Sequence, residues 1–290
     1  MAFLYLDGSP VCDEILNMAG FGMVIRRGEF AIKIPRLREG VDDSEDEIAR
    51  LRIRLRGVLS DLKEIDMREF IIEQIYREKW IFQTLSDCEG VVPCFDLDSP
   101  DVSICMRYMG KGSLRSYLES EKENENDNHN HNPNHSHNHR LDQHTRVRWL
   151  KSMAHTLSNL HRRRVIVTNL RSDNFLIDDT MSIYLANFGE CSVMPLTWDM
   201  STPNLDGEGV ATDIGQFGAV MFEVITGHHC TFDMMQESKE SWDLFSWPPR
   251  DSLPSTEGVW LGHIIEKCWT QGEGFFASAD DLVAALEQAC

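Results

Sequence analysis

Asn169 and Asn174 stand five residues apart in Asn169-Leu170-Arg171-Ser172-Asp173-Asn174, and Asn187-Phe188-Gly189 follows after a short hairpin. Phosphoryl transfer asks for this order: a group that takes or orients the proton of an attacking hydroxyl, then two oxygen ligands for a metal on the phosphates. The two positions that such chemistry fills with carboxylates, 169 and 187, carry amides. Asn169 cannot accept a proton, which removes a base contribution of roughly 10²–10⁴ in rate. Asn187 offers a neutral carbonyl where hard magnesium prefers charge, and Asn174 remains as a lone ligand.

The elements that must position these residues are readable from pattern. Phe21-Gly22-Met23-Val24-Ile25 and Phe30-Ala31-Ile32-Lys33-Ile34, joined by Arg26-Arg27-Gly28-Glu29, predict a hairpin. An acidic insertion over 39–66 follows, opening with Glu39-Gly40-Val41-Asp42-Asp43-Ser44-Glu45-Asp46-Glu47, too charged for a core. From Arg68 to Leu85, apolar Ile71, Ile72, Ile75, Phe82 and Leu85 recur on one helical face, with Glu73, Arg77, Glu78 and Lys79 between them. Residues 91–95 and 102–106 read as strands, and a turn at Gly110–Gly112 leads into a helix around Leu114 to Leu118. Residues 119–140 form an Asn/His-rich insertion expected to be disordered, its histidines alternating with Asn in a solvated run.

Beyond it the chain reads as a helix over Leu141 to Leu160, short strands near Phe175 to Ile177 and Ile183 to Ala186, and a mainly helical remainder. Asp213 to Gly227 is apolar on most sides, as a buried central helix would be, with Gly227 as its stop. Ser278-Ala279-Asp280-Asp281 has the form of a capping box before the last helix. The basic run Arg162-Arg163-Arg164 is read as an ordinary exposed helix end.

At 290 residues the chain can bury a substantial core, and 42% hydrophobic content is that of an ordinary globular protein. No apolar run approaches the roughly 20 residues of a membrane span. Met1 to Asp7 has neither a basic segment nor a long apolar one, so the expected location is cytoplasmic, with the nucleus as the other compartment. A formal charge of −19 argues against nucleic acid as a partner. The eight cysteines contain no C-x-x-C pair, which favours buried reduced thiols over a metal site.

The chain resembles the eukaryotic protein kinase family from about Gly20 onward, and the wording R-S-D-N-F-L-I-D is similar to divergent kinase-like proteins of filamentous fungi. The resemblance implies an α+β, two-lobed fold over 11–290. A small β-rich N-lobe with one main helix covers about 11–107, and a larger, mainly α-helical C-lobe covers about 108–290. Phe30-Ala31-Ile32-Lys33 matches the family's V-A-I-K strand, which makes Lys33 the phosphate ligand and Glu78 its helix partner, with Glu73 as the fallback. Gly22 is the third glycine of a loop whose first two glycine positions hold Asn17 and Ala19. Val24, Ala31 and Leu176 fall where the adenine is sandwiched, and Met106 is the gatekeeper.

Further departures gather around the same site. The family's Arg before the catalytic acid is Thr168, the segment Glu190 to Thr212 lacks A-P-E, and Phe276 stands near the position of a structural Arg. The resemblance therefore implies a catalytically impaired pseudokinase that binds nucleotide, a protein partner, or both. The alternative is a weakly active serine/threonine kinase in which Asp173 or Asp178 substitutes. ATP is the implied cofactor, and the amide at 187 counts against magnesium.

Overall fold

The computed structural model describes residues 2–38, 67–128, 141–234 and 246–289. The expected acidic insertion, 39–66, lies outside them, as does the 129–140 part of the Asn/His-rich insertion. The chain divides into two compact units: Met1–Ser86 with Pro93–Tyr108, and Asp87–Val92 with Met109–Cys290.

In the first unit, β1 (Phe3–Leu4) pairs with β5 (Leu37–Arg38). β2 (Glu14–Ala19), β3 (Gly22–Arg27), β4 (Phe30–Pro35), β6 (Cys94–Phe95) and β7 (Ile104–Arg107) form an antiparallel sheet in the order β2-β3-β4-β7-β6. Ala19 faces Gly22 in register, so β2 and β3 join through a two-residue turn with Gly20 at φ 55, a conformation that costs a glycine little. Phe21, at the tip, packs edge-on against Phe70 with ring centroids 5.2 Å apart.

Because facing residues of an antiparallel pair share a face and alternate residues return to it, the β3/β4/β7 register sorts this sheet cleanly. Met23, Ile25, Ile32 and Ile34 lie on one face and pack with Phe3, Tyr5 and Val11. Gly22, Val24, Ala31, Lys33 and Met106 lie on the other.

The unit's one described helix, α1 (Met67–Thr84), buries Ile75, Ile81 and Phe82. It also buries Glu78 and Lys79, which the sequence pattern had left among the polar intervening positions. Burial is tolerated because both are paired: Glu78 with Lys33, and Lys79 through its Nζ donating to the carbonyls of Ser99 (2.7 Å) and Asp101 (2.9 Å).

The second unit holds α2 (Leu114–Asn128), α3 (Gln143–Arg162), α4 (Val210–Thr226), α5 (Gly262–Trp269) and α6 (Ala279–Ala289). It also holds β8 (Gly112–Ser113), β10 (Phe175–Ile177) and β11 (Ile183–Leu185) as one small sheet, and the pair β9 (Val165–Ile166) with β12 (Ser192–Val193). α4 is buried over nearly its whole length and ends at Gly227, φ 69.

α2 corrects the expectation of disorder from residue 119: the helix continues to Asn128. Its first turns are anchored by buried Leu114 and Leu118. Once that nucleus exists, adding Glu and Lys residues costs little, since both are good helix formers. The Glu121 carboxylate then accepts the Leu141 N–H at 3.2 Å, tying the near edges of the insertion together.

α6 opens with the reciprocal cap that Ser278 and Asp281 imply. Ser278 Oγ accepts the Asp281 N–H at 3.2 Å, and Asp281 Oδ2 accepts the Ser278 N–H at 3.0 Å. Ser278→Ala removes one of these acceptors and should lower unfolding free energy by about 1 kcal/mol. Urea denaturation followed by circular dichroism measures it; an unchanged midpoint would mean that packing alone fixes the start of α6.

Candidate active site

Lys33 Nζ lies 2.9 Å from Glu78 Oε1 and 2.6 Å from Oε2, with side-chain exposures of 8% and 3%. The chain makes room for this pair. A Cβ on Gly22 would fall 2.4 Å from Lys33 Cε, so glycine at 22 is what lets the lysine stem lie across the sheet. Val24 is Lys33's register partner on β3, while Ala31 faces Met106 across β4 and β7. All the candidate binding residues of the first unit thus either line one sheet face or reach it from α1. The fallback Glu73 is exposed.

In the second unit the loop after β9 is built from below by α4. Asp213, fully buried, accepts the N–H groups of Val167 (2.8 Å) and Thr168 (2.9 Å) and faces His161 Nε2 at 2.9 Å. One turn on, Gln216 accepts the Leu170 N–H through Oε1 and donates Nε2 to the Thr168 carbonyl, each at 2.8 Å. These bonds hold Thr168 at φ 62. A β-branched residue in the left-handed region costs on the order of 1–3 kcal/mol and persists only where its surroundings over-determine it.

The loop's chemistry-bearing side chains meet one another. Asn174 donates Nδ2 to the Asn169 carbonyl at 2.6 Å and accepts Asn187 Nδ2 at its Oδ1 at 3.1 Å. Asn187 is itself left-handed, φ 67, a conformation that Asn tolerates. The oxygen of Asn174 that would face a metal is thus engaged by the neighbouring amide. Among the described residues there is no cluster of three His, Cys, Asp or Glu side chains able to hold a metal ion. Asn174 and Asn187 offer only neutral amide oxygens here, where hard magnesium prefers carboxylate charge.

The acids considered as substitutes are committed elsewhere. Asp173 accepts from Arg115 Nε at 2.9 Å, and Arg115 reaches on to Glu223. Burial pushes the Asp178 carboxyl up, but hydrogen bonds from Thr180 and Ser182 outweigh it and hold the group below the usual carboxylate range. Leu176, half-buried in β10, faces Ser113 and Tyr184 in register.

One residue escaped the sequence pattern. Glu190, directly after Asn187-Phe188-Gly189, accepts Asn169 Nδ2 at its Oε2 at 2.9 Å, and its backbone carbonyl accepts Thr168 Oγ1 at 2.7 Å. No spacing rule marks it; the turn at Asn187 and the β9–β12 pairing bring it to the loop.

The basic run is also more than an exposed helix end. Arg162 pairs with Asp280 and Arg163 with Asp87, while Arg164 donates to the carbonyls of Met194, Pro195 and Trp198. Phe276 is buried, with Lys267 Nζ 4.3 Å from its ring centre, so an aromatic ring fills the place where the family resemblance puts an arginine. Burial pushes the Cys94 and Cys230 thiols up to about 12, as reduced structural thiols behave.

The family model for protein tyrosine and serine/threonine kinases matches residues 42–197, more than half of the chain. The chain belongs to that kinase family. It is 26% identical over 201 residues to the serine/threonine/tyrosine-protein kinase HT1 of Arabidopsis thaliana, covering 65% of this chain and 47% of that protein. It is 20% identical over 294 residues to the serine/threonine-protein kinase STY46 of the same plant, covering 97% and 46%. A putative serine/threonine-protein kinase/receptor of Acanthamoeba polyphaga mimivirus, R818, is 25% identical over 203 residues, covering 66% and 11%. The chain thus spans less than half the length of each of these relatives. A β-sheet unit with one described helix followed by a mainly helical unit is the kinase α+β fold. No helix among the described residues is long and apolar enough to cross a membrane.

The buried ion pair of this kinase-family chain is directly testable. Glu78→Gln removes the carboxylate that faces the buried Lys33 ammonium and should cost about 3–5 kcal/mol, whereas Lys33→Met with Glu78→Leu should cost much less. Thermal denaturation of the three proteins measures this; equal losses in the single and double variants would mean that the pair is not coupled.

Proposed function

We propose that this kinase-family chain is impaired in phosphoryl transfer and works by binding nucleotide, a protein partner, or both. The observation that carries this reading is the amide pair Asn174–Asn187, hydrogen-bonded to itself where a metal-loaded site needs charge. In the first unit, the residues that the family resemblance assigns to nucleotide are present. Lys33 and Glu78 remain as a tight buried pair, and Gly22, Val24, Ala31 and Met106 share its sheet face. In this reading Lys33 meets phosphate oxygens, Val24 and Ala31 contact the base, and Met106 sets how much room the base has. The net charge of −19 supports a protein rather than a nucleic acid as the partner, in the cytoplasm or nucleus.

A second reading, a weakly active serine/threonine kinase, is favoured by one observation: a carboxylate, that of Glu190, touches Asn169. The names of the relatives, all protein kinases, agree with either reading.

Titration with ATP, with and without magnesium, separates the two by thermal shift and calorimetry, because a ligand that binds only the native state raises its apparent stability. The impaired reading expects the same modest stabilisation in both buffers. Binding that appears only with magnesium, together with labelled phosphate on protein, would overturn it.

A further inference from the structure

The carboxylate missing from position 169 has a counterpart on the same loop. Glu190 is exposed, its carboxylate lies 2.9 Å from Asn169 Nδ2, and its backbone is tied down by Thr168 Oγ1. A general base must come within about 2.6–3.2 Å of the hydroxyl it deprotonates. A carboxylate one hydrogen bond beyond the tip of residue 169 meets that demand for a hydroxyl placed on the same side of the loop. Asp173 and Asp178 do not, since Arg115 and the Thr180–Ser182 turn hold them.

We propose that Glu190 is the proton acceptor of this loop, held in place by Asn169, so that phosphoryl transfer is silenced at Asn187 and not at Asn169. The proposal deepens the impaired-kinase reading and rests on it. With ATP as donor, a substrate hydroxyl oxygen attacks the γ-phosphorus and the bond from that phosphorus to the bridging oxygen breaks. ADP leaves with the electron pair, and the hydroxyl proton passes to the Glu190 carboxylate.

The test starts from the single variant Asn187→Asp, which returns a carboxylate to the metal corner and leaves Asn169 in place. Transfer of γ-labelled phosphate from ATP with magnesium is measured to a serine/threonine peptide library and to the protein itself. The expected result is transfer by Asn187→Asp alone, reduced roughly 10²–10⁴-fold when Glu190→Gln is added. Adding Asn169→Asp instead should bring no gain, because two carboxylates would then face each other across one hydrogen-bond length.

Three results would overturn the proposal: an inactive Asn187→Asp variant, unchanged transfer on adding Glu190→Gln, or activity that appears only when Asn169→Asp is also present. Circular dichroism on each variant keeps misfolding from passing as lost chemistry. ATP-induced thermal shifts in the same samples separate the two levels. Stabilisation without transfer removes the role of Glu190 and leaves the impaired-kinase reading standing, while no stabilisation in any variant also counts against its nucleotide-binding arm.

Discussion

A single buried carboxylate, that of Asp213, holds the loop on which any chemistry of this chain would sit. It offers both oxygens to the backbone of Val167 and Thr168, and Gln216 takes the next two backbone groups. An acid at zero exposure is expensive to bury, and its cost is offset here by hydrogen bonds to backbone N–H groups and to His161. Those bonds in turn keep Thr168 in a conformation that a β-branched residue avoids. The loop therefore has a strained backbone that α4 over-determines, whatever side chains it carries.

In the proposed reading, that combination lets amides replace acids on the loop while its backbone hydrogen bonds keep the fold. Replacing a carboxylate by an amide of the same shape removes charge and adds an N–H donor. Asn187 uses its donor on Asn174, and Asn169 uses its donor on Glu190. The result is a chain of side-chain hydrogen bonds among the amides and Glu190. Hydrogen-bonded polar networks rigidify, and these bonds tie Asn187 to Asn174 and Asn174 to the loop backbone.

Much of this was legible in the sequence. The hairpin of Phe21–Ile34, the buried α4 with its Gly227 stop and the Ser278/Asp281 cap each follow from local pattern, and local pattern is what turns, caps and amphipathic faces obey. The pairing of Lys33 with Glu78 was also readable, although 45 residues separate them, because the family resemblance supplies a helix glutamate for the strand lysine, with Glu73 as the alternative. Glu190 was not, because its position depends on a left-handed turn and a two-residue strand pairing, neither of which leaves a periodic signature. α2 failed in the opposite direction: composition suggested disorder, but a packed first turn propagated a helix into a polar stretch. The burial of Lys79 was missed because carbonyls of a distant turn satisfy it.

The central claim is that the amide corner at Asn174 and Asn187 has stopped holding a divalent cation. Electron paramagnetic resonance of manganese titrated into the protein with ATP tests it most directly, since free, nucleotide-bound and protein-held manganese give distinct spectra. The account predicts that any protein-held manganese arrives with bound ATP and is unchanged by Asn174→Ala. A saturable protein-held signal near one ion per chain, lost on substituting Asn174→Ala, would contradict it.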